Sequence, residues 1–263
     1  MIYIGTSGYS YQDWVGPFYP EGTDKRKFLD HYARSFRCVE VNYTYYRMPN
    51  ARTLGAMSAK TGDDFRFVVK ANQEMTHQRE GDKTETFAEF NAALAPLLEQ
   101  DKLGCVLAQF PSSFKCAKPN VKYLSSFAEL MGEVPVVVEF RHRSWDREDT
   151  YEFLRKRGLG FCCVDQPQFD TLMPPVARAT STIGYARFHG RNYEKWWKHD
   201  EAWERYNYLY TKEELGEWVG KVAALAEETE DTYVFFNNHY NAQAVQNATD
   251  FADLLDDAGM GTA

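Results

Sequence analysis

Short apolar runs bounded by turn-forming residues recur eight times along the chain. Two of them, VPVVVEF and TYVFFN, are apolar on both faces, as parallel strands covered by helices must be. The predicted strands span residues 2–6, 38–42, 65–70, 104–110, 136–141, 160–165, 184–189 and 232–237.

Helical patterns separate most of these strands. They cover residues 25–36, 51–61, 84–99 and 119–131, and an apolar stripe over 242–255 predicts a last helix. Asp146 with Asp149, and Thr211 with Glu214, pair a cap residue with an acid three positions later, which predicts two further helix starts. The segment 166–182 is the exception, because its two adjacent prolines disfavour a full helix.

Eight strand-and-helix units over about 250 residues fit a closed (β/α)8 barrel of the TIM type. The alternative is an open, doubly wound parallel sheet. The first strand-to-helix turn, residues 5–8, lacks GxGxxG, and no Walker sequence occurs, so the barrel is favoured. No linker-like stretch or internal repeat divides the chain, and we expect one domain over residues 1–263.

Composition and charge narrow the functional classes. Lys and Arg total 30 against 38 Asp and Glu, a net charge of −8, which argues against holding duplex nucleic acid by diffuse charge alone. No leader-like segment and no run of 18 apolar residues occurs, so no membrane association is expected. Five cysteines without a CxxC pair favour a reducing cytoplasm and no structural zinc.

Polar residues follow the apolar part of most predicted strands. In a parallel barrel the reactive mouth lies at the carboxyl ends of the strands, and side chains alternate inward and outward. One choice of parity per strand directs these residues inward: Glu40, Asn42, Lys70, Gln109, Glu139, Arg141, Asp165, Arg187, His189 and Asn237.

The three acids and three bases of this set sum to zero with His189 neutral. A balanced, buried set requires mutual pairing, so a structural ion-pair network is one interpretation. A catalytic or ligand-binding constellation is the other, and it is favoured because apolar layers would serve stability alone. In that interpretation Glu40 or Glu139 is the general base, His189 the general acid and Asp165 a further catalytic candidate.

The predicted ligand-binding residues include cations suited to phosphate or carboxylate. They are Lys70, Arg141 and Arg187, with Asn42, Gln109 and Asn237 beside them.

Two long segments, 7–22 and 191–210, contribute twelve aromatic residues on the same face. Long loops of this kind are often lids or binding loops, and aromatic faces stack bases or sugars. Trp14 and Trp196 of these segments are therefore candidate ligand-binding residues, and Tyr46, which follows the predicted strand 38–42, is a third. The alternative is a satellite aromatic core.

Metal binding has weaker support. Histidines at strand ends, such as His142 and His239, make a carboxylate–imidazole site conceivable. Neither HxH nor HExxH occurs, so no metal ligand is assigned and no cofactor is implied, with a divalent metal as the minor alternative.

Several motifs together resemble the YecE-like family, domain of unknown function 72. They are GTSGYSYQDWVGPFYP, VEVNYTYYRMP, THQRE, LAQFPSSF, VEFRHRSW, RFHGRN, YNYLYTKEEL and FFNNHYNAQAVQNA. The resemblance runs almost end to end. It implies a single TIM-type barrel of unassigned activity, with a proposed likeness to apurinic endonucleases, and it implies no catalytic role for any residue.

Two functional hypotheses follow. The first is a hydrolase- or lyase-like enzyme, such as a phosphodiesterase, acting on a small phosphorylated or otherwise anionic substrate in the barrel mouth. The alternative is an endonuclease-like protein that binds single-stranded or damaged DNA through its aromatic loops. A purely structural or partner-binding barrel is a third interpretation, and the oligomeric state is left open.

Overall fold

The computed structural model describes all 263 residues and contains nine β-strands and ten α-helices. The strands are β1 (Ile2–Thr6), β2 (Cys38–Val41), β3 (Arg66–Lys70), β4 (Leu103–Gln109), β5 (Val136–Glu139), β6 (Leu159–Phe161), β7 (Cys163–Asp165), β8 (Ile183–Phe188) and β9 (Asp231–Phe236). The helices are α1 (Phe28–Ser35), α2 (Tyr43–Tyr46), α3 (Ala51–Ser58), α4 (Gln73–Thr76), α5 (Thr84–Ala93), α6 (Ala95–Glu99), α7 (Lys118–Met131), α8 (Glu148–Lys156), α9 (Lys212–Glu228) and α10 (Gln243–Asp257).

All pairings between these strands are parallel, and they form two sheets. One sheet has the order β1-β9-β8-β7 and the other the order β2-β3-β4-β5-β6. The sheets approach each other at two places. A parallel bridge joins Ser7, just after β1, to Glu40 of β2, and β6 leads into β7 through Cys162, whose amide donates to the carbonyl of Val138. The chain therefore has an α/β fold with parallel sheets.

The predicted strands are confirmed with one change. The run 160–165 contains two short strands, because β6 and β7 are separated at Cys162 and pair with different sheets. The helices starting near Asp146 and Thr211 are also present, and residues 166–182 contain no helix. The pattern over 84–99 forms two helices with Leu94 between them. No helix combines the length and apolar character that crossing a bilayer requires.

The core lies between the strands and the helices that cover them. Phe188 of β8 shows the packing, with ring centroids 5.2 Å from Trp218 of α9 and 5.6 Å from Phe251 of α10. All three side chains are buried. This packing buries the outward face of the strands, so the strands are apolar on both faces up to their carboxyl ends.

Helix α9 begins with a reciprocal cap. The hydroxyl of Thr211 accepts from the Glu214 amide at 3.3 Å, and the Glu214 carboxylate accepts from the Thr211 amide at 2.9 Å. We expect Thr211→Ala to lower the free energy of unfolding by about 1 kcal/mol, because the Glu214 amide in the first turn loses its acceptor. Urea denaturation measures the change. Thr211→Ser keeps the hydroxyl, and an equal loss in that variant would contradict the capping explanation.

Candidate functional site

Two glutamates and an arginine form a buried ionic cluster at the carboxyl ends of the strands. Glu40 of β2, Glu139 of β5 and Arg187 of β8 are 0%, 0% and 1% exposed. The guanidinium of Arg187 donates from Nη2 to Glu40 Oε1 at 2.6 Å and from Nη1 to Glu139 Oε2 at 2.5 Å. One planar cation thus joins two carboxylates that belong to the opposite sheet.

Other side chains supply further partners to both carboxylates. Arg141 Nε lies 2.7 Å from Glu139 Oε1, and the Tyr185 hydroxyl donates to Glu40 Oε2 at 2.8 Å. Burial alone raises the pKa of Glu139, but Arg141 and Arg187 outweigh burial and hold that pKa well below its ordinary value. Glu139 is therefore ionised at neutral pH and is a weak proton acceptor.

His189 packs against this cluster as a neutral imidazole. Its burial, together with the charge of Arg141, lowers the pKa of His189 to about 3. Its Nδ1 lies 3.1 Å from Asn237 Nδ2, which is a donor. The proton is consequently on Nε2, which donates to Glu139 at 3.1 Å. This geometry does not support the predicted role of His189 as general acid; the imidazole instead orients Glu139.

Lys70, the last residue of β3, is a cation without a carboxylate partner. Its Nζ lies 4.9 Å from the ring centroid of Tyr45 and forms no ion pair within the chain. Burial, with the nearby charge of Arg187, lowers the pKa of Lys70 to about 8. At neutral pH this ammonium is mostly charged and is available to a ligand.

A cavity of about 230 Å³ opens above the cluster. Its lining comprises Tyr11, Asn42, Tyr45, Tyr46, Lys70, Arg141, Arg187, Tyr206, Asn237 and His239. Three cations (Lys70, Arg141 and Arg187) and two carboxylates (Glu40 and Glu139) meet here, so the local charge is +1 with His189 neutral. A single excess positive charge beside a cavity favours an anionic ligand.

Two further cavities adjoin the first. One of about 250 Å³ shares Arg141 and Tyr206 with it and is also lined by Gln109, Trp196, Trp197 and Arg205. The other, of about 290 Å³, shares Tyr11, Asn42 and Tyr46 with it. The predicted binding residues Asn42, Lys70, Gln109, Arg141, Arg187 and Asn237 thus line these three adjoining cavities.

Asp165 does not join this cluster, which corrects its predicted inward placement. Its carboxylate accepts from Arg191 at 2.8 and 2.9 Å, from the Tyr210 hydroxyl at 2.7 Å and from Trp218 Nε1 at 2.7 Å. Trp218 belongs to α9, so Asp165 points toward the helices. Both parities of β7 are buried, and burial alone therefore does not indicate which one faces the cluster.

The predicted aromatic binding residues have different environments. Trp14 is fully buried, and its Nε1 donates to the carbonyl of His239 at 2.7 Å. Trp14 therefore belongs to the main hydrophobic core, which corrects its assignment as a ligand contact. Trp196 is 2% exposed beneath Arg205 at the edge of the adjoining cavity. Tyr46 is 76% exposed at the rim of the main cavity.

Sequence reasoning missed several residues of the site. Tyr45 and Tyr206 line the main cavity, and Gln166 Oε1 accepts from Arg141 at 3.3 Å. Tyr45 lies within VEVNYTYYRMP and Tyr206 within the aromatic segment 191–210, so their motifs were the available signal. Nowhere does the structure bring three His, Cys, Asp or Glu side chains together in an arrangement suited to a metal ion.

Comparison with known proteins identifies relatives that match nearly the whole length of this chain. A family model described as "Protein of unknown function DUF72" matches residues 3–262. The UPF0759 protein YunF of Bacillus subtilis is 36% identical over 278 residues, covering 100% of this chain and 98% of YunF. The solved structure of a DUF72 family protein from Thermotoga maritima has a TM-score of 0.90 and 44% identity, covering 97% of this chain and 99% of that one. A DUF72 family protein from Enterococcus faecalis has a TM-score of 0.87 and 28% identity, with 97% and 96% coverage.

Proposed function

Because the chain belongs to the DUF72 family of proteins of unknown function, as its YecE-like motifs predicted, we propose its activity from the chemistry of the site. The protein is a hydrolase- or lyase-like enzyme that binds a small substrate bearing a phosphate or carboxylate at the carboxyl ends of its strands. The unpaired ammonium of Lys70 carries this proposal, since it leaves an excess positive charge at the cavity.

The proposed fold is one closed TIM-type barrel in a single domain. The bridge between Ser7 and Glu40 and the passage of β6 into β7 support this, because they bring the edges of the two sheets together. If β6 and β7 are counted as one interrupted strand, the barrel has eight strands. Enzymes with such barrels bind substrates at the carboxyl ends of the strands, where Lys70 and Glu139 lie.

The proposed roles follow from the partners of each cation. Lys70 and Arg141 contact the anion, since Lys70 has no carboxylate partner and Arg141 borders two adjoining cavities. Arg187 holds Glu40 and Glu139 and is a positioning residue. A preorganised set of charges of this kind can stabilise charge that develops in a transition state.

A nucleic-acid ligand has one favourable observation and one unfavourable one. Trp197 is 51% exposed in the adjoining cavity, beside Arg205, where a base would find a stacking surface. Two of the three aromatic residues predicted to contact a ligand, Trp14 and Trp196, are buried instead. The small anionic substrate is therefore the favoured proposal.

Sulfate binding tests the anion site. We expect Lys70→Met to weaken sulfate binding about tenfold or more at pH 7, because a charge-assisted contact is lost. In the unmodified protein the affinity should fall as the pH rises through about 8, where Lys70 loses its proton. Sulfate keeps its charge over this range, so the change reports on the protein. Isothermal titration calorimetry measures both effects.

Two variants serve as controls for sulfate binding. Lys156→Met removes an exposed lysine of α8 that lines none of the three cavities, and it should leave the affinity unchanged. Lys70→Arg keeps the positive charge and should retain binding at higher pH. An unchanged affinity in Lys70→Met would refute the proposed anion site.

A further inference from the structure

We propose that Lys70 is an amine nucleophile that forms a Schiff base with an aldehyde or ketone group of the bound anion. This inference rests on the proposed function, because the same cavity must first hold the anionic group. It narrows the substrate class to small oxo-acids or phosphorylated carbonyl compounds. The basis is the position of the Lys70 amine: at a strand end, in a cavity, and without a partner.

The environment of Lys70, which is partly exposed, differs from that of the buried Lys102. Lys102 is 3% exposed, and its Nζ donates to the carbonyls of Ser58 and Thr61 and to the Thr61 hydroxyl. Those three contacts use all three protons of the ammonium, so Lys102 is structural. Lys70 has no such contacts, and its Nζ lies 4.9 Å from the centroid of the Tyr45 ring. Once the ammonium of Lys70 loses one proton, its nitrogen therefore carries an accessible lone pair.

Burial favours the neutral form of Lys70, while the charges around it act in both directions. Burial, followed by the charge of Arg187, lowers its pKa to about 8, which makes about a tenth of the amine neutral at pH 7. An ordinary lysine with a pKa of 10.5 has roughly 300-fold less neutral amine at that pH. Desolvation and a neighbouring cation are the two means by which proteins activate lysine amines.

The reaction balances without an oxidant or a reductant. The neutral amine of Lys70 attacks the carbonyl carbon: the C–N bond forms, the C=O double bond becomes a single bond, and the oxygen takes a proton from the newly charged nitrogen. The proton that Lys70 released on becoming neutral then returns through solvent to the hydroxyl, the C–O bond breaks, water leaves, and the nitrogen keeps one proton. Overall, an ammonium and a carbonyl compound give a protonated imine and one water. The imine keeps the single positive charge beside Glu40 and Glu139, and it withdraws electrons from a neighbouring C–H or C–C bond.

Reductive trapping tests the inference. The full-length protein is incubated with pyruvate or with dihydroxyacetone phosphate, reduced with borohydride, and digested for mass spectrometry. We expect at least one probe to label Lys70 about tenfold or more above Lys102 and the exposed Lys156, since its neutral fraction is far larger. The yield should rise as the pH approaches about 8, because the neutral fraction of the Lys70 amine grows, and added sulfate should suppress it.

The outcomes separate this inference from the proposed function. Sulfate binding that depends on Lys70, without a Lys70 adduct from either probe, overturns the Schiff base and leaves the anion site standing. Loss of both results overturns both proposals. Labelling spread evenly over exposed lysines also overturns the Schiff base. Lys70→Arg controls for the trapping, because it retains the charge for sulfate binding while every adduct on that peptide should disappear.

Discussion

Arg187→Met is expected to lower the free energy of unfolding at pH 7 by about 3–5 kcal/mol. The methionine fills similar volume, but it leaves Glu40 and Glu139 buried without the cation that joins them. An uncompensated buried charge is far more costly than a missing surface contact. Urea denaturation followed by circular dichroism measures the loss.

A surface arginine provides the matched control. Arg155 of α8 pairs with Glu148, and both side chains are largely exposed, so Arg155→Met should cost less than about 1 kcal/mol. Equal losses in the two variants would contradict a special role for the buried cluster. Addition of Glu40→Gln and Glu139→Gln to Arg187→Met should recover part of the stability, because neither position then carries a buried carboxylate that lacks Arg187.

The loss in Arg187→Met should also depend on pH. The folded-state pKa of Glu139 lies below its ordinary value, so its pairing stabilises the fold above the unfolded-state pKa and is lost as the pH falls through the folded-state pKa. Without Arg187 the pKa of Glu139 rises, and protonation relieves the buried charge. The difference in stability between the two proteins should therefore narrow in acid.

Asp165→Asn is expected to lower the free energy of unfolding by about 2–4 kcal/mol and to leave sulfate affinity unchanged. The asparagine has nearly the same shape, but its amide nitrogen would face one of the donors that Asp165 now accepts from, and the ion pair with Arg191 is lost. Denaturation and calorimetry on the same variant measure the two quantities.

This substitution separates a structural Asp165 from a catalytic one. A folded Asp165→Asn protein of normal stability that no longer binds sulfate would restore Asp165 to the site and contradict its position beneath α9. Asp149→Asn, at an exposed carboxylate of α8, is the control and should change stability by no more than about 0.5 kcal/mol.

The strands were predictable because their physical signal is strong. Parallel strands covered by helices are apolar on both faces, so runs such as Val136–Glu139 stand out from the polar turns around them. The interruption at Cys162 was not predictable, since no proline, glycine or charge marks it. The break depends on the pairing of β6 and β7 with different sheets, and that pairing is a tertiary property.

The candidate site was predictable in location and less so in chemistry. A polar residue after an apolar run marks a strand end, which located Glu40, Lys70, Glu139 and Arg187. The same rule incorrectly placed Asp165 in the site. Both faces of a buried strand have the same composition, so composition does not show which face points toward the cluster. Removing Asp165 changes the predicted charge of zero to +1. The identity of the cation that lacks a partner depends on distances between side chains of the two sheets. The pattern of residues along the chain does not give these distances.

The ionic cluster crosses from one sheet to the other, since Arg187 and Tyr185 belong to β8 while Glu40 and Glu139 belong to β2 and β5. Any fluctuation that separated the two sheets would leave ionised side chains without partners in an apolar interior. Partial opening along that seam is consequently suppressed, and the two halves should melt as one cooperative unit. The contacts that line the base of the cavity therefore also hold the two sheets of the molecule together.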